Sequence, residues 1–281
     1  MDPVAVALGV TSALSWGAGD FAGGIASRRI GSLVTATAGD LLGVIVLVGF
    51  VAASAEWPPS VPEVGWAAIA GTCGTLGLVS FYRALARGDM GLVAALAGAL
   101  GAAIPVGVSV ALGESIGVTQ MAGVLCGLAA IVAVSLDARR ADDRRLDLRL
   151  VLAAGIGFAV FFLAIDRATA VSHHTWTPLL ISRSSGVTML FAIFAARRQS
   201  PFSGISRNLA IVAAVGLGDL GGNLFFVLAS ARAPLSVAVV LSSLYPVTTA
   251  ALAWLWLGER LRPIQVAGAV LAVAAIVLIA M

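Results

Sequence analysis

Charged side chains stand inside long apolar stretches of this sequence. Asp40, Arg183 and Asp219 lie midway along such stretches, and Asp20 lies nearer the end of another, where it could reach a membrane surface. A carboxylate or guanidinium at the centre of a bilayer costs about 2.5–3.5 kcal/mol on insertion scales. Each of these groups therefore needs an opposite charge or a wet cavity, which predicts either a polar binding site or ion pairs between helices.

Asp40 and Arg183 are the two charges that we expect to act together. They have opposite sign and lie 143 residues apart, close to half of the 281-residue chain. We expect both to face a central cavity, where they either pair or bind complementary groups of a zwitterionic or anionic solute. A salt bridge that only holds two helices together is the alternative.

Other polar and aromatic side chains could complete such a site. Asp219 and Asn223 are four positions apart and would share one helix face, as a proton carrier, a substrate contact or an interhelical hydrogen bond. Aromatic side chains could stack on a substrate or simply pack, and Tyr82 could also gate the cavity or anchor its segment at the membrane surface. The predicted substrate-binding residues are Trp16, Asp20, Asp40, Tyr82, Arg183, Asp219, Asn223 and Tyr245.

Motifs of catalysis and cofactor binding are missing from the sequence. We find no Ser-His-Asp ordering, HExxH, GxSxG or phosphate-binding loop. The adjacent His173 and His174 are accompanied by no cluster of cysteines or carboxylates, so we expect no metal site. The sequence therefore predicts a protein that is not an enzyme, binds no cofactor and does not hydrolyse nucleotides.

The composition is that of a membrane protein. The chain is 60% hydrophobic and 11% charged, with a mean hydropathy of +1.03, whereas soluble domains carry about 25% charged residues. All 17 basic residues are arginines scattered between apolar segments, a pattern that does not favour a nucleic-acid partner. We expect an all-α, multi-pass protein of the inner (plasma) membrane, with the lipid bilayer as its main surroundings.

Apolar segments recur along the whole chain, and each is long enough to cross a membrane as a helix, which takes about 20 residues. A transmembrane barrel does not fit, because its strands would alternate over about 10 residues. The ten predicted spans are 4–25, 32–54, 64–86, 91–111, 117–136, 149–168, 175–196, 208–230, 234–256 and 262–280.

A duplicated segment divides these spans into two sets. Residues 111–133 and 256–278 share 10 identities in 23 positions, including a Leu-Gly-Glu phrase that ends at Glu114 and at Glu259. Five spans per copy is an odd number, so the second copy enters the membrane inverted. Inverted repeats with a substrate site near the midplane are typical of secondary transporters. The two glutamates are expected at turns, near the N-terminus of the next helix, where negative charge is favoured.

Short motifs occur along both halves, and the proline motif, the Leu-Gly-Glu phrase and the Gln and Gly after it recur in the same order. They are Trp16-Gly17, Tyr82-Arg83-Ala84-Leu85-Ala86-Arg87-Gly88, Pro105-Val106 and Leu112-Gly113-Glu114 with Gln120 and Gly123, then Tyr245-Pro246-Val247 and Leu257-Gly258-Glu259-Arg260-Leu261 with Gln265 and Gly268. This arrangement resembles two EamA domains of the drug/metabolite transporter superfamily, over nearly the whole chain. The resemblance implies a ten-helix carrier that moves small organic solutes, commonly outward.

One departure separates the two halves. Pro246 lies 13 residues before Glu259, but Pro105 lies only 9 before Glu114, and Gly101 takes the position that matches Pro246. Because proline removes an i→i−4 hydrogen bond, we expect spans 4 and 9 to bend about one helical turn apart.

Together these features predict a secondary-active transporter of small organic metabolites, such as amino acids or drug-like solutes, that exports them by alternating access. The cavity would be lined mainly by spans 1–4 and 6–9, with spans 5 and 10 as scaffold or dimer surface, in a monomer or a homodimer. Energy would come from a solute gradient or from protons carried by Asp20, Asp40 or Asp219. The alternatives are a non-transporting membrane scaffold, which does not require charges inside its spans, and an intramembrane enzyme, which would require a clustered nucleophile, base or metal set.

The loops set the domain limits and the orientation. We divide the chain into a first repeat (1–136), a charged linker (137–148) and a second repeat (149–281). The loops after the odd-numbered spans hold 13 arginines, and those on the other side hold 2. Since arginine favours the cytoplasmic side, both termini are expected outside the cytoplasm.

Cysteine labelling tests this orientation. In a chain whose Cys73 and Cys126 are replaced by Ala, Ser172→Cys should react with a membrane-impermeant maleimide on intact cells. Ser200→Cys should react only after the cells are permeabilised, because its loop carries the arginines of the predicted cytoplasmic side. The reverse labelling pattern would place both termini in the cytoplasm.

Overall fold

The chain folds as a bundle of helices. The computed structural model describes residues 2–54, 56–87, 90–136, 147–257 and 263–281, and within these ranges it contains helices and no strand. A 3-10 turn at Ile205–Arg207 precedes α8. The helices are α1 Pro3–Ile30, α2 Ser32–Ala53, α3 Val61–Arg87, α4 Met90–Ala111, α5 Val118–Leu136, α6 Leu148–Ser172, α7 Trp176–Arg197, α8 Leu209–Ser230, α9 Leu235–Ser242, α10 Tyr245–Leu257 and α11 Pro263–Ala280.

The all-helical prediction is confirmed for the described residues, and the count of ten crossings stays a prediction. In the described part of the chain, seven helical segments are long and apolar enough to cross a membrane, with α9 and α10 together forming one of them, Leu235–Trp256. Three shorter apolar helical stretches lie at Leu96–Ala111, Val118–Ala130 and Val266–Ala280. The predicted linker lies almost wholly outside the described residues, so the division into 1–136, 137–148 and 149–281 also stays a prediction.

Local sequence sets where α1 begins and ends. The Asp2 carboxylate accepts a hydrogen bond from the backbone N–H of Val4 at 2.9 Å, and Pro3 occupies the first helical position, where its missing N–H costs nothing. At the other end Gly31 has a φ of 84°, a conformation that glycine adopts without strain. The tight turn at Gly31 lets α2 start at once.

The ninth predicted span is interrupted, whereas the fourth is not. The chain turns at Ser243 and Leu244, between α9 and α10. Pro246 follows this turn and lacks the N–H that a continuous helix would use there. Helix α4, in contrast, continues through Pro105. The two halves therefore differ because span 9 is broken into two helices and span 4 is one helix. We expected instead that both spans would bend, about one turn apart.

Contacts between the halves build most of the core. The most extensive packing pairs α3 with α6, α1 with α8, and α5 with α11, and α2 also packs against α7. Exchanging the halves turns the α3–α6 contact into the α8–α1 contact and leaves the α5–α11 and α2–α7 contacts in place. The two repeats thus make equivalent contacts with each other, and the core is buried mainly between them.

Glycines allow some of these helices to touch backbone to backbone. A methyl group at Gly71 of α3 would lie 1.9 Å from the carbonyl oxygen of Ser182 in α7, and one at Gly218 of α8 would lie 2.6 Å from the Cα of Gly19 in α1. Small residues at such crossings are a common device of helix packing in lipid. These two crossings bring the middle of α3 against α7 and the middle of α1 against α8.

A single methyl group tests the α3–α7 contact. Gly71→Ala should lower the free energy of unfolding by about 1–3 kcal/mol, because the backbone must move to relieve the overlap. The matched control is Gly49→Ala in α2, where an added methyl meets no atom within 4 Å. Thermal unfolding of both purified variants measures the effect, and equal midpoints would contradict the tight crossing.

Candidate functional site

A cavity of about 70 Å³ lies between the two halves, at mid-length of the helices. Helices α1, α2 and α3 line it from the first half, and α6, α7, α8 and the start of α10 line it from the second. Helix α4 was expected to contribute, but none of its described residues lines the cavity. The polar and charged lining residues are Asp20, Asp40, Thr75, Ser182, Arg183, Asp219 and Asn223.

One guanidinium joins two carboxylates at the centre of this cavity. Arg183 Nη1 donates hydrogen bonds to Asp40 Oδ1 and to Asp219 Oδ2. Asp40 is fully buried, and only 8% of Arg183 is exposed. A buried pair is tolerated only where the geometry is good and the remaining oxygens find donors. The three side chains come from α2, α7 and α8, so they connect the halves.

The other carboxylate oxygens also have donors. Thr75 Oγ1 donates to Asp40 Oδ2 at 2.9 Å, and Asn223 Nδ2 donates to Asp219 Oδ1 at 3.1 Å and to the Asp219 backbone oxygen at 2.6 Å. In contrast, Arg183 Nη2 is buried and has no hydrogen-bond partner among the described residues. The N–H groups of Arg183 Nη2 therefore stay available to a ligand.

The structure brings Asp40 and Arg183 together, as the sequence suggested, and adds a third member. The pair joins two helices and lines the cavity, so the structural role and the binding role both stay predictions. Asp219 shares the same guanidinium, a contact that the sequence did not predict. The predicted face of Asp219 and Asn223 is present as a hydrogen bond between them.

Asp20 lies in the cavity rather than at the membrane surface. Only 6% of it is exposed, and it is one helical turn from Trp16 on α1. Its neighbour Gly19 packs against the backbone of Gly218 and Asp219, which brings this part of α1 beside the ion-paired group. No described residue donates a hydrogen bond to the Asp20 carboxylate.

Aromatic rings form the apolar wall of the cavity. The ring centroids of Trp16 and Phe162 are 5.6 Å apart, and those of Trp16 and Tyr245 are 6.4 Å apart, both in edge-to-face geometry. Phe158 and Phe161 of α6 also line the cavity. The buried Tyr245 hydroxyl has no hydrogen-bond partner among the described residues, so one more polar group is available to a ligand.

Tyr82 lies outside the wall of the cavity. It is fully buried, and a methyl group at Gly23 of α1 would lie 2.5 Å from its ring. Its hydroxyl has no hydrogen-bond partner within the described part of the chain. The contact with α1 covers Tyr82, and its roles as a gate, an anchor or a substrate contact stay predictions.

Several site residues could not be selected from the sequence. Thr75 is one of many hydroxyl residues in apolar spans, and only the approach of α3 to α2 gives it Asp40 as a partner. Phe158, Phe161 and Phe162 stand in a segment where aromatic residues are ordinary packing. Their spacing places them on α6 but does not reveal which rings face a cavity.

Three glutamates of the first half contact the second half at the end of the bundle where α2 ends and α7 begins. The Glu56 carboxylate accepts hydrogen bonds from the backbone N–H groups of Thr175 (3.0 Å), Trp176 (2.7 Å) and Thr177 (3.0 Å). These groups form the start of α7, which favours negative charge. We call this end of the molecule the glutamate face, defined by Glu56, Glu63 and Glu114.

Glu114 and Glu63 also contact the second half. Glu114 accepts from the backbone N–H groups of Leu235 and Ser236, the second at 3.1 Å, and Glu63 lies 3.0 Å from His174 Nδ1. Glu114 was expected to serve the next helix in the chain, α5, but it caps α9 of the other half. The reason is spatial, since the turn before α5 lies against the start of α9. Glu259 lies outside the described residues.

A second cavity of about 320 Å³ lies at the same end of the molecule. Asp166, His173 and His174 line it, together with residues from the end of α8. The described residues contain no group of three or more His, Cys, Asp or Glu side chains that could hold a metal ion.

Comparisons with known proteins place the chain in a family. The model of the EamA-like transporter family matches residues 3–136 and 148–281. No curated protein sequence matches the chain. A solved structure described only as "Crystal structure of protein" aligns with 99% of this chain and 98% of its own, with a TM-score of 0.74 and 18% sequence identity. At that identity the likeness shows the fold alone, whereas the double family match confirms the predicted resemblance and its two repeats.

Removing the shared guanidinium tests the ion-paired group. Arg183→Gln should lower the free energy of unfolding by about 3–5 kcal/mol, because it leaves two buried carboxylates without a cation. The exposed Arg207→Gln is the control and should stay within about 0.5 kcal/mol of the unchanged protein. Thermal unfolding of the purified variants measures both values.

A triple variant separates charge from packing. Adding Asp40→Asn and Asp219→Asn to Arg183→Gln should recover much of the lost stability, because no uncompensated charge is left. If Arg183→Gln alone is as stable as Arg207→Gln, the ion-paired group does not hold the helices together.

Proposed function

The chain belongs to the EamA-like transporter family, and on that premise we propose that it is a secondary-active carrier that exports small organic metabolites by alternating access. It works in the inner (plasma) membrane, with ten spans arranged as two inverted repeats. Amino acids and drug-like solutes are the candidate substrates.

The cavity between the halves is the observation that carries this proposal. Its lining combines aromatic rings with a few charged and polar side chains, which is the composition usual for small-molecule sites. Charged groups from α1, α2, α7 and α8 meet there, in the middle of helices that are otherwise apolar. Charge in that position is costly unless function or pairing retains it, which favours a carrier over a membrane scaffold.

Packing between the repeats supports alternating access. The α3–α6 and α8–α1 contacts are equivalent under exchange of the halves, as expected for inverted repeats around a central site. In such a carrier one half rocks against the other, so contacts at one face break while contacts at the opposite face form. Each conformation then exposes the cavity to one side of the membrane.

The glutamate face supplies contacts that can act as one of these gates. Glu56, Glu63 and Glu114 belong to the first half, and their partners Thr175, His174 and Leu235 belong to the second. These contacts are few and lie at one end of the bundle, where Glu56 and Glu114 are half-buried. They can therefore break without unfolding either half.

The same cavity offers groups that could carry a coupling ion. A carboxylate that alternates between two sides of the membrane can carry a proton, and Asp20, Asp40 and Asp219 line the cavity. Asp20 is the best placed of the three, since the other two already pair with Arg183. Proton exchange for the exported solute is the simplest use of these groups.

Transport by purified protein in liposomes tests the proposal. A panel of amino acids, organic amines and organic acids is offered with and without a pH gradient. We expect at least one solute to move faster than in protein-free liposomes and to respond to the gradient. If no solute moves under either condition, the carrier proposal fails.

A reversible cross-link tests the gate. In a chain whose Cys73 and Cys126 are replaced by Ala, the double variant Glu56→Cys/Thr175→Cys should lose transport after treatment with a short bifunctional thiosulfonate, because the glutamate face can no longer open. Reduction should restore transport. The two single-cysteine variants are the controls, and undiminished transport by the cross-linked protein would show that this face does not move.

A further inference from the structure

The charges in the central cavity do not balance. Among the described residues, three carboxylates line it, from Asp20, Asp40 and Asp219, but only one guanidinium, from Arg183. With all four groups ionised, the cavity holds two more negative charges than positive ones. A net negative site in an apolar bundle attracts cations and repels anions, because charges interact strongly where water is scarce.

The three carboxylates differ in how well they are satisfied. Both oxygens of Asp40 accept hydrogen bonds, one from Arg183 and one from Thr75. Both oxygens of Asp219 do so as well, one from Arg183 and one from Asn223. Among the described residues no side chain or backbone group donates to Asp20. Because a buried charge without a partner is costly, Asp20 is the carboxylate that still requires one.

The surroundings of Asp20 fit a ligand that is cationic at one end and apolar at the other. Trp16 lies one helical turn before it on α1 and also lines the cavity, with Phe161 and Phe162 across from it on α6. Aromatic faces attract ammonium groups, most strongly in the case of Trp. The unpartnered Tyr245 hydroxyl and Arg183 Nη2 are further polar groups within the same wall.

From this arrangement we propose that the cavity binds organic cations, and that Asp20 accepts hydrogen bonds from the ammonium group of a primary amine while Trp16, Phe161 and Phe162 cover its apolar body. The proposal rests on the carrier function and names its substrate class. Arg183 acts here as a positioning residue, since it holds Asp40 and Asp219 and leaves Asp20 to the solute.

This assignment departs from what the sequence suggests. An Asp40–Arg183 pair read alone offers one charge of each sign, which favours a zwitterionic or anionic solute. Asp219 changes that balance, because it uses the same guanidinium. An anion would then meet a cation that two carboxylates already neutralise, with a third carboxylate nearby.

Two probes with the same phenyl body test the proposal, the cation 2-phenylethylamine and the anion 3-phenylpropionate. Calorimetric titration of the full chain in lipid nanodiscs should show binding of the amine at least about 10-fold tighter than that of the acid. Asp20→Asn should weaken amine binding by about 10- to 100-fold, as loss of a charged hydrogen bond does. Asp166→Asn, a carboxylate of the second cavity, is the matched control and should bind like the unchanged protein.

Three results would overturn the proposal: no binding of the amine by folded protein, equal binding of amine and acid, or an Asp20→Asn variant that binds the amine normally. Size-exclusion chromatography and thermal unfolding establish that each variant is folded. Transport separates this proposal from the carrier function. Movement of other solutes without amine binding refutes only the substrate class, and amine binding with no movement of any solute refutes only the carrier.

Discussion

A single guanidinium nitrogen holds two carboxylates that come from two other helices. Arg183 of α7 binds Asp40 of α2 and Asp219 of α8, and all three side chains are buried. Breaking one contact would leave an uncompensated charge, so the three helices must keep their relative positions at this level. The rest of the cavity is arranged around that requirement.

The packing of the bundle makes such a contact possible. Helices α3 and α7 approach through Gly71, and helices α1 and α8 approach through Gly19 and Gly218. These crossings lie at the level of the charged group and bring side chains from both halves within hydrogen-bonding reach. Larger residues at these positions would separate the backbones and lengthen the ion pairs. The small residues and the charges therefore depend on each other.

The centre and the end of the molecule use carboxylates differently. At the centre, Asp40 and Asp219 share a buried cation, and their bonds are costly to exchange. At the glutamate face, Glu56 and Glu114 accept hydrogen bonds from the backbone at the starts of α7 and α9, and water can take over those bonds. A bundle whose central ion pairs are costly to break, and whose hydrogen bonds at one end can exchange with water, would allow one half to rock against the other.

The sequence by itself determined the class of the molecule, its duplication and most of its central charges. Few charges among long apolar segments leave a helical membrane protein as the main solution, and the repeated Leu-Gly-Glu phrase is visible without any structure. Asp40, Arg183 and Asp219 stood out because charge is rare in such segments. Composition and residue spacing can be read directly from the chain, and these conclusions required no knowledge of contacts between helices.

Only the tertiary structure decided how those residues combine. Asp219 joins Asp40 on one guanidinium, Glu114 caps a helix of the opposite half, and Tyr82 is buried against α1. Each of these facts depends on which helix faces which, and the apolar spans are too uniform to record that. The physical reason is that helices in lipid pair through close packing of small residues that are far apart in the chain. The pattern of residues within one helix does not show which other helix it will contact.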